Sequence, residues 1–169
     1  MIDLMVLYIL VNHDFTMYAI LKRIQEYFLA YTNPSFGALK PALVRLEKQG
    51  FITSSKVMSD GGKLSVFYAI TKDGLKNLRN LMLKPMSKNP LQFMSDAKIK
   101  LSCLSVLEPE DRAEVFADIR TNVLTHKNNA EKILTDEYTP LTTYQKIVLD
   151  DTVCTYKNFI TMIDQLEKD

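Results

Sequence analysis

The chain has 169 residues, 47% hydrophobic and 24% charged, proportions that supply a globular core and exclude disorder along the whole length. No apolar run approaches the roughly 20 residues that span a bilayer. The net charge of +1 excludes a uniformly basic nucleic-acid binder, yet it is unevenly spread. Residues 1–84 hold 11 Lys+Arg against 6 Asp+Glu, hence +5, and residues 85–169 hold 10 against 14, hence −4. Only the first half suits a polyanionic partner.

In chain order, residues 2–11 read as an apolar helix. It lacks the basic flank and small-residue cleavage site of a signal peptide, so the expected compartment is the cytoplasm. Asn12-His13-Asp14 is a turn. Thr16 is the N-cap of a second helix whose Ile20, Ile24 and Phe28 share one face. Thr32-Asn33-Pro34 breaks it. Ser35 caps a third helix with Leu39, Leu43 and Leu46 as its buried stripe, and Gly50 supplies the left-handed residue that ends it. Pro41 is awkward, because an interior proline costs a helix about 3 kcal/mol. Either the helix starts near Lys40 or its first turn is irregular.

The period then changes. Phe51 to Met58 reads as a strand, Asp60-Gly61-Gly62 as a hairpin turn, and Leu64 to Ile70 as the return strand. Thr71 caps a closing helix through Leu75, Leu78 and Leu81-Met82. Two prolines in Lys84-Pro85-Met86-Ser87-Lys88-Asn89-Pro90 mark a linker, assigned to 85–92. Helices follow from Phe93 to Leu107 and from Pro109 onward, the latter with the stripe Val115, Ile119, Val123, His126, Ala130 and Ile133. Thr139-Pro140 precedes a last helix with Leu149, Val153, Tyr156, Ile160 and Ile163 at steps of four and three. Packing within one chain and pairing between two chains explain that spacing equally well.

The fold class is therefore mainly α: an N-terminal winged helix-turn-helix with a two-stranded wing over 1–84, a linker, and a C-terminal helical dimerisation domain over 93–169. The third helix is the candidate recognition helix. An α-helix fits the major groove of DNA, and the expected groove-facing set is Ser35, Phe36, Lys40, Val44 and Arg45, with Arg45 and Lys48, further along, expected at the backbone. Lys22 and Arg23 on the second helix and Lys56 and Lys63 at the wing are expected at phosphates. The bland alternative for each basic residue is a solvated face.

No dinucleotide, Walker or zinc spacing is present, so no enzyme activity, cofactor or metal is expected. Cys103 and Cys154 read as buried free thiols, His13 as a turn residue, and His126 as a hydrogen-bonded core or interface residue. A winged helix that binds protein without specific DNA binding is the alternative function.

The stretch from Pro34 through Lys40-Pro41 to Gly50-Phe51-Ile52 resembles the recognition helix of the PadR family, Pro41 included. Val66-Phe67-Tyr68-Ala69-Ile70-Thr71-Lys72-Asp73-Gly74 is similar to its wing strand and Thr-x-x-Gly turn, and the acidic second half to its long C-terminal domain. The resemblance implies a homodimeric regulator, usually a repressor, on a palindromic operator, with C-terminal helices making the dimer and, in some members, a small effector releasing DNA. Lys40 stands where the family commonly has Tyr, and Met17 where it often has Gly before Tyr18, whose hydroxyl remains available to phosphate. With no Trp in the chain, a pocket for a small aromatic or hydrophobic effector would be built from Tyr, Phe and Met.

Overall fold

A computed structural model describes residues 1–58, 62 and 64–168. Two compact units result: Met1–Lys84 with Ser95–Glu108, and Pro85–Met94 with Pro109–Asp169.

In the first unit, α1 (Ile2–Ile9) packs against α2 (Met17–Phe28), α3 (Phe36–Lys48) and α4 (Lys72–Leu83). Leu4, Met5, Val6 and Leu7 are all buried, so α1 is apolar around most of its circumference and forms the centre of this core. Ile20, Ile24 and Phe28 of α2 and Leu39, Leu43 and Leu46 of α3 close around it, each at 1% exposure or less. Thr16 caps α2 by accepting from the Ala19 amide at 3.3 Å. Of the closing-helix stripe, Leu78 and Met82 are buried but Leu75 is exposed.

Strands β2 (Ile52–Met58) and β3 (Leu64–Ile70) pair antiparallel, with Ile52 opposite Ile70 and Met58 opposite Leu64. The sheet has a third member that alternation did not reveal: β1 (Phe15–Thr16) pairs with the other edge of β3, Phe15 opposite Tyr68. Two residues are too few to show a period. The expected wing is thus three-stranded at its base. Asp60, Gly61 and Lys63 of the expected hairpin tip lie outside the described residues.

Two glycines fix the joint between α3 and the sheet. Gly50 adopts φ +76°; its amide donates to the Glu47 carbonyl and the Phe51 amide to the Leu46 carbonyl, both at 2.9 Å. This is a Schellman end, which requires a left-handed residue. Thr71 then donates through Oγ1 to the Gly50 carbonyl at 2.7 Å and accepts from the Gly74 amide at 3.0 Å. A Cβ on Gly74 would stand 2.0 Å from the Phe51 carbonyl oxygen. The Thr-x-x-Gly turn is therefore a clamp on the end of α3.

The second unit centres on α6 (Pro109–Thr135) and α7 (Thr143–Leu166), which pack along each other. A capping box opens α7: Thr142 Oγ1 accepts from the Gln145 amide, and the Gln145 side chain accepts from the Thr142 amide at 2.8 Å. Phe93, His126, Tyr156 and Phe159 form an aromatic cluster, with Phe93 and Phe159 edge to face at 6.3 Å.

Several expectations need correction here. The helix expected from Phe93 begins at Pro90 and, as α5, ends at Ser102, followed by a 3-10 turn over Leu104–Val106. Within the segment expected as a linker, Met86 is buried, and its amide donates to Asp118 at 3.0 Å. Cys103 is buried, which pushes its thiol up to about 12, but Cys154 lies on the outer face of α7 and is exposed. Ile133 of the α6 stripe is exposed. His126 Nε2 is buried with no hydrogen-bond partner among the described residues, so it is not the hydrogen-bonded histidine expected; the ring is held by its stack on Tyr156 at 5.9 Å.

Candidate nucleic-acid interface

The helix α3 runs unbroken from Phe36 through Pro41 to Lys48, which decides against a start near Lys40. It buries Leu39, Ala42, Leu43 and Leu46. The opposite arc, at 100° per residue, carries Gly37, Lys40, Pro41, Val44 and Lys48, all exposed. Lys40 has no ion pair among the described residues. Ser35 sits at the N-cap, but its hydroxyl makes no capping hydrogen bond, contrary to expectation. The turn is closed instead by its carbonyl, which accepts from the Ala38 and Leu39 amides at 3.0 Å.

Tyr18 on α2 and Phe36 at the start of α3 stack at 6.2 Å with 22° between ring planes. Both are exposed. Next to them an open groove of about 460 Å³ is lined by Tyr18, Leu21, Lys22, Gln25, Ser35 and Phe36. Four of the expected contact residues, Tyr18, Lys22, Ser35 and Phe36, therefore converge on one surface.

The remaining cations differ in availability. Lys22 lies 3.9 Å from Glu26, and Arg23 donates to the same carboxylate at 3.2 Å. Arg45 turns to α1: its Nε donates to Asp3 Oδ2 at 3.1 Å and its Nη2 to Asp3 Oδ1. This pairing raises the guanidinium above its ordinary range through the hydrogen bond and then the charge of Asp3. Expected as an open contact, Arg45 is thus engaged within the fold. Lys56 is exposed on β2, and Lys63 lies outside the described residues. Glu47, the acid on α3, accepts from the Ser54 hydroxyl of β2. Its charge, after burial as the larger cause, holds the Tyr68 phenol above its usual value.

Sequence patterning missed the Asp3–Arg45 and Glu47–Ser54 pairs. The first joins residues 42 apart in sequence and the second crosses from helix to strand; neither falls on one element's period. Among the described residues no cluster of His, Cys, Asp and Glu is able to hold a metal ion, and no helix is long and apolar enough to cross a membrane.

Of the seam expected to dimerise, Val153, Tyr156 and Ile163 are at 5% exposure or less, while Leu149 and Ile160 are half-buried. Their partners lie within the second unit, on α6 and in the aromatic cluster. Packing inside one chain thus accounts for Val153, Tyr156 and Ile163. The exposed apolar residues of α7 are Tyr144, Ile147 and Val148.

Three helices, a clamped hairpin and an exposed basic third helix define a winged helix-turn-helix protein. Residues 6–80, somewhat less than half of the chain, match the profile of the transcriptional regulator PadR-like family. A PadR family transcription regulator from Clostridium difficile R20291 is 28% identical, covering 47% of this chain and 80% of its own, with a TM-score of 0.42. Bacillus subtilis PadR in complex with operator DNA is 17% identical over 98% of this chain and 96% of its own, with a TM-score of 0.48. The protein smu.1604c from Streptococcus mutans UA159 is 23% identical over 99% of this chain and 98% of its own, with a TM-score of 0.45. No curated protein matches the chain.

Proposed function

We propose that this protein is a sequence-specific DNA-binding regulator that acts as a homodimeric repressor on a palindromic operator. The observation that carries the reading is the outward arc of α3, with Lys40 exposed and unpaired among the described residues, inside a segment that matches a family of transcriptional regulators. Two copies would set their third helices in successive major grooves, about 34–36 Å apart. Tyr18, Lys22 and Ser35 would meet phosphates beside α3, and Lys56 and Lys63 would serve the wing. A small aromatic or hydrophobic effector would favour release by binding one conformation over the other.

A winged helix that docks on protein is the second reading. It is favoured by the internal pairing of Lys22 with Glu26 and Arg45 with Asp3, which leaves less free charge than the sequence promised.

Fluorescence anisotropy separates the two. Labelled duplex from upstream of the protein's own gene is compared with a scrambled duplex at low and moderate salt. Preference for the upstream duplex that survives moderate salt supports the regulator, and Lys40→Ala should weaken that binding about tenfold or more, the scale of one base-edge contact. No binding at either salt transfers the reading to a protein partner.

A further inference from the structure

We infer that the outward arc of α3 selects its DNA by thymine 5-methyl groups, with Val44 as the main reader and Pro41 and Phe36 beside it. The inference rests on the DNA-binding reading above and specifies its chemistry.

The arc opposite the buried stripe is largely without hydrogen-bonding side chains. Gly37, Pro41 and Val44 occupy its centre together with Lys48, and Val44 is 58% exposed, more than Phe36 at 43%. Two polar side chains of α3 that might have read base edges are committed elsewhere: Arg45 to Asp3, and Glu47 to Ser54. Lys40 and Lys48 remain as the cations of the arc. In the major groove the one apolar group on a base edge is the thymine methyl, so the apolar part of this arc matches that group, beside the contact assigned to Lys40.

Gly37 points the same way. A Cβ there would meet only Ser35 Oγ, at an ordinary 3.5 Å, so the fold does not require glycine at this position. A glycine inside a helix costs about 1 kcal/mol against alanine. Bare backbone facing outward in the first turn of α3 permits close approach of a base edge.

The test uses the full chain. A random-sequence duplex library is first enriched by binding at moderate salt. In the enriched duplex each thymine is then replaced singly by deoxyuridine, which keeps the base pair and deletes the methyl. Affinity should fall about three- to fivefold at one or two thymines of each half-site, the value of one buried methyl. In Val44→Ala, at an exposed site, the penalty at those positions should shrink. Uracil tolerated throughout by the wild type, or an unchanged penalty in Val44→Ala, overturns the inference while DNA binding stands. Failure of any sequence to enrich overturns DNA binding, and this inference with it.

Discussion

Arg45 and Asp3 form a two-pronged ion pair that ties the candidate recognition helix α3 to the first residues of α1. A fork-to-carboxylate geometry fixes direction as well as charge. Both side chains remain partly exposed, Arg45 at 47% and Asp3 at 25%, so the pair adds under about 1 kcal/mol to stability. Its larger effect is to hold a cation away from the surface that Lys40 occupies.

Asp3→Asn should therefore change binding more than folding. With its counter-charge removed, Arg45 is free to meet a phosphate. Each added phosphate contact steepens the slope of log affinity against log salt by about 0.9. Anisotropy titrations across a salt series measure the slope, and urea denaturation measures stability. An unchanged slope would place Arg45 out of reach of the backbone.

Much of the winged unit was legible in the sequence because its signals are local. Thr16 and Thr71 cap helices through their own third-following amides, and Gly50 ends α3 at a left-handed residue. The site was legible only in part. Tyr18 and Phe36 were named separately, but their stack depends on how α2 and α3 cross. Val153 and Tyr156 showed the right spacing for a seam, and spacing does not say whose helix fills the other side. Ser35 had the right identity and position for a cap, yet its hydroxyl does not make the bond.

Pro41 is the sixth residue of α3 and is exposed. Without an N–H it leaves the Gly37 carbonyl without its helical donor. Pro41→Ala restores that bond and loses no packing. The gain of up to about 3 kcal/mol in the helix is offset by about 1 kcal/mol from the freer unfolded chain, so stability should rise by about 2 kcal/mol in denaturant titration. Lower stability in the variant would mean that the proline geometry of this turn supports the fold.

The α7 residues Ile147 and Val148 are 61% and 65% exposed, with Tyr144 at 83% one turn earlier. If two copies pair through this helix, its exposed outer face is available to them. Changing Ile147 and Val148 together to Asp should give a folded monomer in sedimentation. Ile163→Ala, at a site with no exposure, should instead cost 2–5 kcal/mol of stability. A dimer that survives the double change would move the pairing surface off this face.

His126 should make the second unit sensitive to acid. Burial beside Phe93 and Tyr156 lowers its pKa below the ordinary 6.5. The ring therefore stays neutral in the folded chain at pH values where the unfolded chain has already taken up a proton. Its contribution is fully present above about pH 6.5. It is lost as pH falls from there through the lowered folded value, at a slope of up to about 1.4 kcal/mol per pH unit. Lys127 and Glu131 on α6 and Lys157 on α7 pair with one another, and Glu131 is held below its usual value, first by the Lys127 hydrogen bond. Its own loss of stability therefore falls in the carboxylate range, below that of the histidine. Urea denaturation between pH 7.5 and 5 should show the slope in the wild type and a flatter curve in His126→Phe, which keeps an aromatic ring on Tyr156 and removes the proton site. Equal slopes in the two proteins would assign the acid sensitivity to another group.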